Sequence, residues 1–222
     1  MKTHFMKNFM QITLLIMSLI MGAPCAMAIE EAAFKVIEKN KPFEIRDYAP
    51  YIVAEVIVDG SMTSAGNRAF RVLFEYISGE NESRNKITMT APVSQEVVGE
   101  KIKMTAPVGQ QAMQGKWAVS FMMPATYTME TLPKPTNLAI TLRPLPTQRM
   151  AVIRYSGFWS EKNYHQHKAE LVSWIISKEF VITGEPVWAR YNPPFTPWFL
   201  RRNEILIPIK IGLTQNCSSK AS

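Results

Sequence analysis

The sequence predicts an α+β fold whose sheet curls around a core and carries one helix on each of two related halves. Two stretches, 63–79 and 160–178, repeat apolar residues at helical spacing. The segments around them are short, rich in β-branched and aromatic residues, and separated by proline or glycine. Because the order strand, helix, strands occurs twice, we expect one domain with a pseudo-twofold arrangement.

Short strands account for most of the remaining chain. The segments 43–48 and 51–58 are separated by Pro50, and we expect them to form two neighbouring strands. Later strands are predicted at 117–122, 138–142, 150–155, 185–190 and 204–211. The region from 124 to 146 is a proline-rich connection.

Each predicted helix has an apolar stripe and recognisable ends. In the first helix, which ends at Gly79, the stripe consists of Met62, Ala65, Ala69, Val72, Leu73 and Tyr76. In the second helix, which Ser160 caps, it consists of Tyr164, His167, Leu171, Trp174 and Ile175. We expect both stripes to face the core.

A seven-residue pattern occurs twice in the middle of the chain, as ITMTAPV at 87–93 and IKMTAPV at 102–108. Its apolar residues alternate with polar ones, which predicts two half-buried strands. Pro92 and Pro107 cannot donate a ladder hydrogen bond, so each belongs at an edge, a bulge or a strand end. The pattern alone is also that of a hairpin that turns at Gly99 and Glu100.

The first 28 residues are predicted to be a cleavable export signal. Lys2 and Lys7 precede an apolar run from 9 to 21, and small residues at 26 and 28 suit a signal peptidase. The run is shorter than the roughly 20 residues that span a membrane, and we expect no transmembrane segment in the mature chain. The protein is therefore expected in the periplasm, with one domain at 29–213 and a polar tail at 214–222.

Charge and cysteine content further describe the mature chain. The whole sequence has 25 Lys and Arg against 18 Asp and Glu, and the two lysines of the leader leave 23 cations, hence a net charge near +5. The excess is spread along the chain, which disfavours a nucleic-acid partner. Pro24 disfavours a lipid-anchored Cys25. Cys217 then stands alone, and no internal disulfide is expected.

Several motifs, taken in order, resemble the SOUL heme-binding protein family. They are AFRVLFEYISG at 69–79, the doubled KIxMTAPV, FMMP at 121–124, AVIRYSG at 151–157, YNPPFTP at 191–197 and RRNE at 201–204. The resemblance extends from about 34 to 211. It implies a distorted β-barrel of two related halves flanked by two helices, similar to gyrase-inhibitor and effector-binding folds, and tetrapyrrole binding as in vertebrate members.

A second apolar flank on the first helix needs a partner. Phe70 and Phe74 lie four residues apart, away from the main stripe, with Asn67 and Arg71 beside them. The protein's own loops can bury this flank, or it can form, with Met62, one wall of an open groove. A porphyrin needs apolar surfaces for its ring and cations for its propionates, and the second interpretation supplies both.

The late loop offers a second wall for such a groove. Phe195, Trp198 and Phe199 are aromatic, and Arg201 and Arg202 follow them closely. The resemblance implies that heme lies between the first helix and this loop.

An iron ligand is a separate question. Heme iron binds His, Cys, Met or Tyr, and the only histidines of the mature chain are His165 and His167. His167 is the candidate, although a histidine on the apolar side of a helix is more often a packing residue. The histidine proposed for one branch of the family has no counterpart before the first helix. Iron-free porphyrin is therefore a second candidate ligand.

The sequence carries none of the common catalytic motifs, such as a glycine-rich phosphate loop or Gly-x-Ser-x-Gly. Glu38, Glu44, Asp47 and Glu55, with Arg46 nearby, are spaced like surface charges. We expect a non-catalytic periplasmic protein that binds heme, another tetrapyrrole or another flat hydrophobic ligand. The alternatives are an effector-binding module for a different amphipathic molecule and a protein-interaction domain whose loop 195–199 docks a partner.

Overall fold

The computed structural model describes residues 29–84 and 99–212. The predicted leader, the first copy of the repeat and the tail with Cys217 lie outside the described residues. The helices are α1 (Met62–Ser78) and α2 (Glu161–Ser177). The strands are β1 (Phe34–Asn40), β2 (Phe43–Tyr48), β3 (Tyr51–Val58), β4 (Asn81–Glu82), β5 (Val108–Met113), β6 (Lys116–Met122), β7 (Lys134–Pro135), β8 (Ile140–Leu145), β9 (Gln148–Tyr155), β10 (Phe180–Ile182), β11 (Val187–Arg190) and β12 (Asn203–Ile211).

In the described residues, ten strands form one antiparallel sheet in the order β1-β2-β9-β12-β11-β5-β6-β3-β8, with β10 beside β12. Tyr48 from one end of the sheet and Tyr51 and Leu145 from the other line one cavity of about 230 Å³, so the sheet is strongly curled. The two helices and the curled sheet confirm the predicted α+β class.

The sheet order has a pseudo-twofold axis between β5 and β11. The unit β3–α1–β5–β6 on one side matches β9–α2–β11–β12 on the other. The strand that precedes each unit pairs with the other unit: β2, which precedes β3, pairs with β9, and β8, which precedes β9, pairs with β3. The expectation that β2 and β3 are neighbours is therefore wrong. Both edges of β2 are occupied, by β1 and by β9, and none is free for β3.

Each half of the sheet has its own helix, as predicted. On α1 the buried stripe includes Ala65, Ala69, Leu73 and Tyr76, which pack on β3 and β6. Gly79 ends the helix at a φ of 120°, in the left-handed region that glycine favours. In the described ranges, neither helix is long and apolar enough to cross a bilayer.

The second helix also begins where the sequence predicts. The Ser160 side chain accepts a hydrogen bond from the Asn163 backbone N–H, at 3.2 Å. Leu171, Trp174 and Ile175 are buried and pack against β9 and β12. The helix therefore covers the half of the sheet that α1 leaves uncovered.

The second copy of the repeat is not a strand, contrary to prediction. Its residue Ile102 donates a backbone hydrogen bond to Ile77 at the end of α1, and Ala106 donates one to Glu30. These partners belong to different elements, so no continuous ladder forms, and Met104 is 41% exposed. The regular strand β5 begins only after Pro107, which agrees with the expected position of that proline.

A buried carboxylate, Glu204 on β12, binds donors from three separate parts of the chain. The Arg46 guanidinium donates to both of its oxygens, at 2.8 and 3.2 Å. Arg202 and the Tyr191 hydroxyl also donate, at 3.0 and 2.9 Å. Burial alone would raise the pKa of Glu204, but the hydrogen bonds and charges of Arg46 and Arg202 hold it below its ordinary value.

Two of the charges expected on the surface are buried. Arg46 is 2% exposed, and Glu55 is 8% exposed and accepts a hydrogen bond from Arg143 at 2.7 Å. The sheet is curled, so both side chains lie on its concave inner face and are covered by other strands. Strand periodicity shows that such residues share a face, but it does not show that this face is buried.

Glu204→Gln should lower the free energy of unfolding by about 3–5 kcal/mol, because it removes the buried counter-charge that Arg46 and Arg202 share and leaves them only the more exposed Glu44 and Glu31. Urea unfolding at pH 7 measures this loss. As a control, Asp47→Asn removes a half-exposed ion pair with Arg149 and should cost about 1 kcal/mol or less.

Wild type and Glu204→Gln should also differ in how their stability changes with pH in acid. Because the pKa of folded Glu204 lies below the ordinary 4.5, the unfolded chain binds more protons as the pH falls. The contribution of Glu204 is present above that value and is lost as the pH falls through the folded pKa. Wild type should therefore lose more stability between about pH 5 and 3 than Glu204→Gln, and equal losses would contradict the assignment.

Candidate ligand-binding groove

A solvent-open groove with a volume of about 370 Å³ lies beside α1. One wall is α1 itself, with Asn67 and Phe70. The opposite walls are the segment 104–108, which leads into β5, and the loop 191–194, which follows β11. The lining is mainly apolar, as a site for a hydrophobic small molecule requires.

The α1 wall is fixed by aromatic packing. Phe70 is half-buried, and its ring meets the buried ring of Phe121 edge-on, with 5.2 Å between centroids. Phe74, one turn later, stacks on Phe70 at 6.0 Å and is 47% exposed. Phe70 therefore belongs both to the core edge and to the groove, whereas Phe74 lies outside the groove lining.

The wall at 104–108 comes from the second copy of the repeat. The Thr105 hydroxyl donates to the Met122 carbonyl, and Ala106 is buried, so this backbone is fixed at its centre. Met104 and Val108 line the groove. Sequence reasoning missed both, because it treated the segment as a strand with a uniform apolar face.

The loop wall is held from below by Arg201. Its Nε donates to the Thr196 carbonyl at 2.8 Å and its Nη2 to the Pro194 carbonyl at 2.7 Å. The guanidinium also lies 4.4 Å from the Trp159 ring centroid. Arg201 was predicted to meet a ligand directly, and the structure shows it binding the loop backbone.

The floor of the groove contains Arg190, at the end of β11. Its Nη2 donates to Gln110 Oε1 at 3.2 Å, and Gln110 Nε2 in turn donates to the Met62 carbonyl at 2.6 Å. Burial lowers the pKa of Arg190 to about 10. No carboxylate of the described residues forms an ion pair with Arg190. Sequence reasoning missed this residue, since the pattern at 185–190 indicated only a strand.

Close approach of α1 to this floor depends on a glycine. A Cβ atom at Gly66 would lie 2.9 Å from Gln110 Oε1 and 3.2 Å from Arg190 Nη2. Both contacts are closer than such atoms normally allow. Gly66 therefore lets the helix pass directly over the Gln110–Arg190 pair.

The other predicted site residues occupy different surroundings. Met62 is 3% exposed and packs in the core, outside the groove lining. Arg71 is exposed on α1, outside the groove lining. Phe195, Trp198 and Phe199 are exposed on the outer side of the late loop, where Trp198 stacks on Phe158.

His167 is on α2 and does not line the groove. Its Nδ1 lies 3.1 Å from Glu170 Oε2, and its ring stacks on Tyr155 at 4.0 Å between centroids. Among residues 29–84 and 99–212, no cluster of three or more His, Cys, Asp or Glu side chains is placed to hold a metal ion.

Comparison with known proteins identifies the family. A profile for the SOUL heme-binding protein matches residues 29–208. The chain belongs to the SOUL heme-binding protein family. Human heme-binding protein 2 is 26% identical over 193 residues, covering 81% of this chain and 89% of the human protein.

Solved structures show that the SOUL chain shares its fold with more distant proteins. The C-terminal domain of EcmrR has a TM-score of 0.55 at 11% identity, covering 76% of this chain and 97% of that domain. A hydrolase from Listeria innocua has a TM-score of 0.50 at 12% identity, covering 78% and 94%. At these identities the likeness establishes the fold alone.

Gly66→Ala should destabilise this SOUL protein by about 1 kcal/mol, although alanine normally favours a helix interior. The added methyl must displace the Gln110 and Arg190 side chains from beneath α1. Urea unfolding tests this, with Asn67→Ala as the control on the same helix, where alanine should be neutral or stabilising. A stabilised Gly66→Ala variant would show that the approach at this point is not tight.

Proposed function

We propose that this SOUL protein is exported to the periplasm and there binds heme or another tetrapyrrole, without catalysing a reaction, in the groove beside α1. The observation that carries the proposal is a mainly apolar groove, open to solvent, with the half-buried Phe70 ring along one wall. Membership of a heme-binding family supports the choice of ligand. The export signal predicted at 1–28 supports the location.

The groove suits a flat ring that is only partly enclosed. A volume of about 370 Å³ lies in the lower part of the range of about 300–1,000 Å³ typical of small-molecule sites. Its aromatic wall at Phe70 and the opposite wall at Met104 and Pro193 would contact the two faces of the ring. Apolar contact would then supply most of the binding free energy.

The residues that line the groove fit the ring of heme better than they fit its iron. No histidine or cysteine is among the described lining residues, the hydroxyl of Tyr191 is bound to Glu204, and Met104 offers only a neutral thioether. If heme is bound, its iron would supply any redox or ligand-binding chemistry. The side chains of this groove would bind and orient the macrocycle and shield one part of it from water. We therefore expect hemin and iron-free protoporphyrin to bind with similar affinity.

Phe70→Ala should weaken binding of hemin by about 1–2 kcal/mol, roughly tenfold, because it removes the half-buried ring of the α1 wall. Phe74→Ala should have a smaller effect, because that ring lies outside the groove lining. Titration followed by the Soret band measures both affinities, and circular dichroism checks that each variant is folded. A folded Phe70→Ala protein with the affinity of wild type would refute the proposed wall.

His167→Ala should leave the visible spectrum of the hemin complex unchanged, because His167 is bound to Glu170 and stacked on Tyr155 away from the groove. Absorbance and electron paramagnetic resonance spectra of the two complexes provide the comparison. A change in iron spin state would establish His167 as an axial ligand and would move the site to α2.

A further inference from the structure

Two buried hydrogen-bond donors near the groove floor, the Nε of Arg190 and the hydroxyl of Tyr155, have no acceptor among the described residues. The indole N–H of Trp188 points to the oxygen of that hydroxyl. Buried donors are almost always satisfied in native proteins, and each exception needs an explanation. Neighbouring exceptions indicate a shared missing partner.

The three groups belong to one cluster. The Arg190 guanidinium carbon lies 5.0 Å from the Trp188 ring centroid and 5.6 Å from that of Trp159, so it is held between aromatic side chains. Tyr155 is the ionisable group whose charge acts most strongly on Arg190. Burial raises the pKa of the Tyr155 hydroxyl, which therefore stays protonated and able to donate.

Arg190 differs from three other buried or partly buried arginines, and also from Arg201, whose guanidinium binds two backbone carbonyls. Arg46, Arg149 and Arg202 each bind a carboxylate, of Glu204, Asp47 and Glu31 respectively. Arg190 has only the neutral amide oxygen of Gln110. Its guanidinium is thus charged, largely desolvated and without a counter-ion in the described structure, although it lines a groove that is otherwise apolar.

We propose that the floor of the groove is a carboxylate site built on Arg190, with the Tyr155 hydroxyl as a neighbouring donor. Resting on the proposed function, this means that the ligand binds with one acidic substituent pointing inward to Arg190. A carboxylate there would accept charge-assisted hydrogen bonds in surroundings of low polarity, where they are strongest. The acidic edge of the ligand would then be buried, and an ester-capped edge would be rejected.

Two ligands with the same ring test the proposal: iron-free mesoporphyrin, which carries two carboxylic acids, and its dimethyl ester. Wild type should bind the diacid about tenfold or more tightly than the ester. Arg190→Met should lose this preference by weakening diacid binding, with ester affinity nearly unchanged. Arg154→Met, at an exposed position on β9, is the matched control and should keep the preference. Tryptophan quenching and the Soret shift report both titrations.

The results separate this site from the proposed function. If wild type and Arg190→Met bind both porphyrins with the same preference, the carboxylate site is overturned while groove binding stands. If Arg190→Met is unfolded, Arg190→Lys replaces it. Lysine keeps the charge but lacks the planar fork, and it should lose several-fold of the preference. An unchanged preference in folded Arg190→Lys would also overturn the proposal.

If wild type binds neither porphyrin, the proposed function fails and a free anion is tested instead. Sodium acetate replaces sodium chloride at equal ionic strength, and the midpoint of thermal unfolding is measured. A rise in wild type that is absent from Arg190→Met supports a site for a free carboxylate. No rise in wild type overturns the site altogether.

Discussion

The ionised carboxylate of Glu204 is held in a buried position by donors from three separate parts of the chain. Arg46 comes from β2, Tyr191 from the loop after β11, and Arg202 from the residue pair before β12. A carboxylate without these donors would be costly in such a position. The position of β2 in the opposite half of the sheet therefore depends in part on the ion pair between Arg46 and Glu204. Through Tyr191 the same network reaches the loop that forms one wall of the groove.

Local features of the sequence predicted the helices well. The stripe from Ala65 to Tyr76, its end at Gly79 and the cap at Ser160 depend on residues within a few positions of one another, and the structure has all three. Strand partners depend on distant residues. A period of two shows which side chains share a face but not which strand lies alongside, and so the exchange of β2 and β8 could not be predicted.

The repeated segment illustrates the same limit. At 102–108 the alternation of residues is that of a strand, yet its backbone groups bind Ile77 and Glu30 rather than one neighbouring strand. Buried charges such as Arg46 and Glu55 were missed for a related reason, since only the curl of the sheet makes their face an interior. These are consequences of tertiary structure that short patterns do not encode.

Part of the groove could be predicted and part could not. The second apolar flank of α1 led to Asn67 and Phe70, which line it, and the structure places Phe70 between the two interpretations of that flank, half in the core and half in the groove. The sequence indicates Arg190 only weakly as a groove residue, as a single cation in the apolar run before a proline-rich loop. Gly66 is a second weak indication. A glycine inside a helix lowers helix stability by about 1 kcal/mol relative to alanine and commonly marks a close approach of the helix to a neighbouring element.

The arrangement of Arg201 and Arg202 gives the two long walls of the groove different mechanical properties. In an extended segment consecutive side chains point to opposite sides. Here Arg201 binds the carbonyls of the late loop, while Arg202 binds Glu204 in the interior and Glu31 at the surface. The loop wall is thereby anchored on two sides and should move little when a ligand binds. Adjustment to ligands of different thickness then falls to the neighbouring wall at 104–108, where the unbranched thioether of Met104 can change rotamer at little cost.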